Sequence, residues 1–250
     1  MSGANMSVAD MIGRCNQNPD SSLYFDGVTS GDAFPATVRV FVPRYRLVFV
    51  DHFLGDSIDT RWNSTTQGTP TAATIRDEKN GVLALALAST SEAETNEQNW
   101  NDLLQLDTTS GLVMEVAFKF SGAIAANERA VIGFGSARNN TYDSVARNAW
   151  FRVDAAMDLL TESDDGTTDT DDKDSTQNLT ANNYHYGRIE MLGPNDVRFY
   201  AGSSVPTRIN SGTTFKIGST LVQPIISIQK ASGASTPRLD VDYINIHARR

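Results

Sequence analysis

Glu115 is the first residue here whose type and setting could do chemistry. It sits in Gly111 to Phe120, GLVMEVAFKF, where Leu112, Met114, Val116, Phe118 and Phe120 alternate with Val113, Glu115, Ala117 and Lys119. Period-two alternation predicts a long strand with one face on a core and the other near water. Turn formers bound it, Thr108-Thr109-Ser110-Gly111 before and Ser121-Gly122 after. A carboxylate on the outer face of a strand suits acid/base cleavage of a glycosidic bond, which needs two carboxyl groups about 5–9.5 Å apart. On one strand the second group must stand two or four residues away, and the neighbours of Glu115 on its own face are Val113 and Ala117. The strand therefore offers no pair of its own. A pair would have to come from different strands, such as Glu115 with Glu190, and the reading favoured here has no catalytic residues and no enzyme.

Three further constellations bear on binding. The densest charge run is Glu162 to Asp174, ESDDGTTDTDDKD. Calcium takes six to eight oxygen ligands, and Asp169, Asp171 and Asp174 could supply some of them. The run lacks the glycine and the terminal glutamate of an EF-hand loop, so it reads as a solvated hairpin tip, with calcium as an alternative and no metal or other cofactor expected. Trp150, Tyr184 and Tyr186 are candidates for a glycan-stacking platform, set against the usual fate of aromatic rings in or beside a core. His52 beside Asp51, and His247, are read as local hydrogen-bond partners. No G-x-S-x-G elbow accompanies the serines, and Gly133-Phe134-Gly135 precedes no helix, so it is no phosphate loop.

The elements that must position these residues are strands. Short runs rich in Val, Ile, Phe, Tyr and Thr are spaced by Gly, Asn, Asp and Ser. They read as Thr71 to Arg76, Gly81 to Ala88, Ala130 to Gly135, Asn148 to Val153 and Leu159 to Glu162. Tyr184 to Leu192 and Asp196 to Ala201 form a hairpin around Gly193-Pro194-Asn195, with Tyr184, Tyr186, Arg188 and Glu190 on one face. Phe215 to Ile217, Leu221 to Lys230 and Arg238 to His247 complete the set. Pro224 marks its strand as an edge or a bulge, and Ser89 to Asn99 reads as an acidic loop. About a dozen strands and almost no helix predict an all-β sandwich of two packed antiparallel sheets.

The chain has 250 residues, 40% of them hydrophobic, enough for one substantial core. Its formal charge is −9 and its isoelectric point about 4.8. That balance argues against nucleic-acid binding, which needs a basic footprint. Cys15 is the one cysteine, which excludes an internal disulfide and a thiolate zinc cluster. No apolar run approaches the roughly 20 residues of a membrane span, and the opening residues show no secretory signal, so no membrane partner is expected and a cytoplasmic origin is. Residues 1–46 differ in grammar from residues 47–250. They read as an extended N-terminal arm, with Leu23, Tyr24, Phe25, Phe34, Arg44 and Arg46 as its docking residues.

From about Val50 onward the order of signals resembles the concanavalin A-like lectin/glucanase sandwich, in the laminin-G-like form found in virion proteins of tailed bacteriophages. The matching pieces are DHFLGDSIDTRW, KNGVLALAL, GLVMEVAFKF, AVIGFG, LLTESDDG, the NYHYGRIEM–DVRFYAG hairpin and RLDVDYINIHARR. The resemblance implies a jelly roll used as a recognition or cement module. The glucanase branch carries an E-x-D-x-x-E strand, and this chain has E-V-A-F-K-F from Glu115. The expectation is therefore a non-enzymatic virion protein that decorates and stabilises a capsid. Its partners would be the major capsid protein and itself, as a homo-oligomer with a trimer among the options. The alternative is a tail or fibre module that grips host glycan, with calcium as its candidate ion.

Overall fold

The alternation in GLVMEVAFKF becomes one of the central strands of a sheet, and its apolar face becomes the middle of the core. A computed structural model describes residues 15–17, 23–25 and 45–249, with side chains described for 48–248. In chain order the first strands are β1 (Cys15–Gln17), β2 (Leu23–Phe25), β3 (Tyr45–Asp51), β4 (Asn63–Gln67), β5 (Thr71–Arg76) and β6 (Val82–Ala86). Then come β7 (Glu94–Asn99), β8 (Leu106–Asp107), β9 (Leu112–Phe120), β10 (Glu128–Gly135), β11 (Asn148–Val153) and β12 (Asp158–Asp164). The last are β13 (Asp169–Asn178), β14 (His185–Gly193), β15 (Asp196–Gly202), β16 (Thr207–Ile209), β17 (Leu221–Lys230) and β18 (Arg238–Arg249).

The chain divides into two units. In the unit Met1–Arg46 with Arg250, β1 pairs antiparallel with β2, Cys15 opposite Phe25. The docking residues expected of an arm fall within the range of this unit. Leu23, Tyr24 and Phe25 form β2 and Arg46 lies in β3, all four with side chains outside the description, while Phe34 and Arg44 lie outside the described residues.

The unit Leu47–Arg249 is all-β, two eight-stranded antiparallel sheets forming a sandwich. The first sheet runs β16-β15-β14-β9-β18-β6-β5, with β3 added to β18. The second runs β13-β12-β11-β10-β17-β7-β4, with β8 added to β17. Met114, Val116, Phe118, Ile189, Phe199, Ile244 and Ile246 from the first sheet meet Ile132, Phe134, Phe151, Ile226 and Ile228 from the second. Removing such side chains from water supplies the stabilisation, roughly 1.5–3 kcal/mol for each large apolar residue.

Gly187 shows how close the sheets come. A Cβ built on it would lie 2.7 Å from Cε2 of Phe151, so the glycine lets the Phe151 ring reach the floor of the first sheet. At the entry, Trp62 packs edge-on against Phe49 with centroids 5.4 Å apart. Asp51 fixes that corner by accepting from Trp62 Nε1 at 2.9 Å and from the Phe53 backbone N–H at 2.7 Å. Asp51 is thereby committed to Trp62 and Phe53, not to His52 beside it.

Three elements differ from the sequence reading. Ser89 to Asn99 was expected as a loop, yet Glu94–Asn99 is strand β7, buried along its whole length between β17 and β4. The amide groups of its side chains donate inside the sheet: Asn96 to the carbonyls of Thr71 and Ala86, and Gln98 to Ser64 Oγ. Pro224 was expected on an edge, yet it stands in the interior strand β17 opposite Phe134. It is tolerated because β7 pairing begins only at Ile225 and β8 pairing ends at Val222, so Pro224 has a strand on one flank alone. Phe215 to Ile217 forms no strand and touches the sheet through one bridge, Val197 to Phe215.

Candidate functional site

Each sheet has an outer face, and the two differ. On the second sheet, Trp150 and Arg152 of β11, Glu162 of β12, Val131 of β10 and Ile225 and Ser227 of β17 point away from the core, by register. The connection 136–147 folds back over them. Its Tyr142 and Val145 join Val131, Trp150 and Ile225 in a second apolar cluster. Tyr142 packs edge-on to Trp150 at 6.1 Å, and its hydroxyl donates to Ser227 Oγ at 2.7 Å. Trp150 is completely buried there, and a Cβ on Gly133 opposite would stand 2.5 Å from its Cα and Cβ, so glycine lets the two strands approach. As a glycan platform Trp150 is therefore corrected: it is a core residue of this face, on a different sheet from Tyr184 and Tyr186.

Arg152 lies beside that cluster, held by four carboxylates: Asp143 at 3.2 Å, Asp154 at 3.1 Å, Glu162 at 3.3 Å and Asp172 at 2.8 Å. Burial pushes the Glu162 carboxyl up to about 7, against the opposing pull of Trp150 and Arg152. Glu97 is also pushed up by burial, with Asn99 and Arg138 pulling the other way. Glu97 and Glu162 are not an acid/base pair. From β7 to β12 there are four interstrand steps, about 19 Å at 4.7–4.9 Å each.

The run expected as a solvated hairpin tip spans the end of β12, the turn 165–168 and the start of β13, with residues 166–169 and 171–174 exposed. Asp172 reaches back to Arg152, and Asp174 accepts from the Thr176 backbone at 2.7 Å. Asp169, Asp171 and Asp174 are not gathered as ligands: among the described residues no group of three or more His, Cys, Asp or Glu is arranged to hold a metal.

The outer face of the first sheet is built differently. On β9 the outward residues are Val113, Glu115, Ala117 and Lys119, as the alternation requires. Adjacent β14 and β18 complete each row: Arg188 and Asn245 flank Glu115, and Tyr186 and Tyr243 flank Ala117. Glu190 stands opposite Val113, one step diagonal from Glu115. Diagonal neighbours on one face lie roughly 7–8 Å apart. Glu115 and Glu190 are both half-buried, with surface left to a ligand.

The pair is framed by cations and phenols. Arg188 Nη2 lies 3.2 Å from Glu190 Oε1, and the Tyr200 hydroxyl donates to Glu190 Oε2 at 2.8 Å. The Arg188 guanidinium stacks on the Tyr200 ring, 4.6 Å from its centroid. Burial, helped by the hydrogen bond and charge of Glu190, pushes the Tyr200 phenol above its ordinary value. Tyr243 is pushed up by burial first, then by Glu115, Tyr186 and Asp242, as its place beside them demands. Tyr184 lies one row beyond, with Lys119 Nζ 4.7 Å from its ring centroid.

Of the aromatic candidates, the structure thus brings Tyr184 and Tyr186 to one face. It adds Tyr243, Tyr200 and Asn245, which the sequence reading did not name. Arg188 was legible on the face of Tyr186. Tyr243 was not, since counting by twos from Leu239 and Val241 sends it into the core. A bulge between Val241 and Tyr243 reverses the phase, so that Ile244 and Ile246 face inward instead.

No family model matches the chain, and no curated protein matches it. Solved structures do share its fold, a concanavalin A-like jelly-roll sandwich of the kind used by GH16 glucanases. The catalytic domain of an endo-1,3-beta-glucanase from Thermotoga petrophila RKU-1 superposes with a TM-score of 0.56 at 11% identity, over 82% of this chain and 98% of that one. The beta-glucanase of Bacillus licheniformis gives 0.55 at 16% identity, over 81% and 98%. A protein of unknown function from Shewanella oneidensis MR-1 gives 0.58 at 15% identity, over 80% and 85%. These likenesses overturn the expectation of a non-enzymatic capsid cement protein: the solved structures that share this fold include several hydrolases of glycans. The sequence reading named the cross-strand pair of Glu115 with Glu190 but set it aside, because the pattern of one strand does not say which strand lies beside it.

Proposed function

We propose that this protein is a carbohydrate-directed β-sandwich that hydrolyses a glycan chain on the outer face of its first sheet. One observation carries the reading: Glu115 and Glu190 share that face, diagonal across β9 and β14 at roughly 7–8 Å. Side chains from positions so placed can set their carboxyl groups about 6.5–9.5 Å apart, which leaves room for a water between sugar and base, the inverting geometry assigned here. Glu190, oriented by Arg188 and Tyr200, is the base that takes a proton from the attacking water. Glu115 is the acid that protonates the departing glycosidic oxygen. The water oxygen bonds to the anomeric carbon as the glycosidic bond breaks, and the leaving sugar keeps the proton from Glu115. The hydrolases among the structural neighbours support the choice of a glycan as substrate.

The test is release of reducing ends from a panel of laminarin, mixed-linkage β-glucan and β-galactans. The expected result is release from at least one, lowered about 10²–10⁴-fold in E115Q and in E190Q, with the first product of inverted configuration by NMR. Hydrolysis that survives both substitutions, or no release from any glycan, overturns it.

A further inference from the structure

The row next to Glu115 contains a second feature that the acid/base pair does not use. Tyr186 and Tyr243 stand two interstrand steps apart, about 9.6 Å between their backbones, with Ala117 between them. Both rings are half-buried, and Ala117 keeps no accessible surface, so its neighbours close over it. A larger residue at 117 would stand between the rings; alanine leaves the two on one apolar shelf. The other two phenols of the face are already engaged by cations, Tyr184 under Lys119 and Tyr200 under Arg188. The rings left for a ligand are Tyr186 and Tyr243, with His52 extending the shelf at 5.9 Å from Tyr243.

Polar groups border this shelf on the side of the carboxylate pair. In the Arg188–Glu115–Asn245 row, Arg188 Nε and Asn245 Oδ1 are buried and have no hydrogen-bond partner among the described residues. An arginine, a glutamate and an asparagine, all half-buried, beside an apolar shelf fit a ligand with an apolar face and a rim of hydroxyls, each of which donates and accepts. We propose that Tyr186 and Tyr243 form a sugar subsite that stacks a neutral pyranose ring, one residue along the chain from the bond addressed by Glu115 and Glu190. Neutrality follows from charge: the chain carries −9 overall, which repels acidic glycans. The subsite takes its ligand class from the hydrolase reading but does not depend on cleavage.

The experiment titrates full-length E115Q with laminarihexaose, a mixed-linkage β-glucan hexasaccharide and an oligogalacturonate, following amide shifts by NMR. The expected result is saturable binding of a neutral oligosaccharide and none of the oligogalacturonate. Y186A and Y243A in that background should each weaken binding about tenfold or more, because stacked rings dominate such contacts. Y186F and Y243F, which keep the ring, should stay within about threefold. Unchanged affinity in the alanine variants overturns the subsite, as does preference for the acidic oligomer or the absence of saturable binding. Binding through the tyrosines without cleavage by the parent protein would leave the subsite standing and remove the hydrolytic pair. Cleavage with unaltered affinity and KM in Y186A and Y243A would do the reverse.

Discussion

Tyr186 of β14 and Tyr243 of β18 flank the same residue, Ala117 of β9, although 57 positions separate them in the chain. Their adjacency depends on β9 lying between β14 and β18 in the sheet, and on the bulge that turns Tyr243 outward. A strand without the bulge would bury Tyr243 and bring Asp242 to this row. The relationship is therefore made by sheet order and by one irregular residue, both outside the reach of local pattern.

Ala117→Leu tests that relationship without touching either ring. The larger side chain has no space between the tyrosines and must spread them. Oligosaccharide affinity should fall several-fold, while the urea midpoint shifts by the equivalent of about 1–3 kcal/mol. Affinity equal to the parent's would mean that the rings act separately.

Glu162 makes stability depend on pH. Its carboxyl ordinarily ionises at 4.5 and is raised to about 7 in the fold. The folded state therefore binds more protons than the unfolded state between those values, and stability falls as pH rises through the window. The loss is on the order of 3 kcal/mol at most, and less where Arg152 holds the carboxylate. Urea unfolding at pH 4.5 to 7.5 should show a downward slope in the parent that is shallower in E162Q. Parallel slopes would mean that Glu162 is already ionised throughout.

Lys230 and Glu94 are both fully buried, 3.5 Å apart. Lys230 Nζ also donates to the carbonyls of Ala88 at 2.5 Å and Thr90 at 2.6 Å, and Glu94 accepts from the Ala88 backbone at 2.8 Å. Lys230→Met strands a buried carboxylate and should cost about 3–5 kcal/mol, whereas Lys230→Met with Glu94→Leu should recover much of it. Chemical denaturation of the three proteins measures this. A double variant no better than the single one would show that the carbonyls, not the carboxylate, are what Lys230 serves.

Gly187→Ala should destabilise by about 1–3 kcal/mol through overpacking, since its methyl would stand 2.7 Å from the Phe151 ring. Pairing it with Phe151→Leu should offset part of that loss in a thermal unfolding series. No effect from the single change would mean that the sheets separate there without cost.

Much of the fold was legible because half-buried antiparallel strands write their orientation into the chain. The alternation of β9 and the β14–β15 hairpin, with its turn at Pro194 and Asn195, are local patterns, and both stand in the structure as the residues indicate. β7 escaped because ETNEQN carries no apolar signal: its polar groups are buried against partners 25, 34 and 131 positions away. Pro224 misled because its tolerance comes from a gap between β7 and β8, a property of the neighbours rather than of the proline.

The candidate site divides along the same line. By itself the sequence determined that Glu115 lies on the outer face of a long strand, and that Tyr186, Arg188 and Glu190 share a face of another, since side-chain direction in a strand repeats every two residues. Only the tertiary structure decided that these two faces are one surface, that Glu190 stands diagonal to Glu115, and that Trp150 is walled in on the other sheet. Pairing across strands is chosen by the packing of the whole sandwich, whose energy no single segment contains.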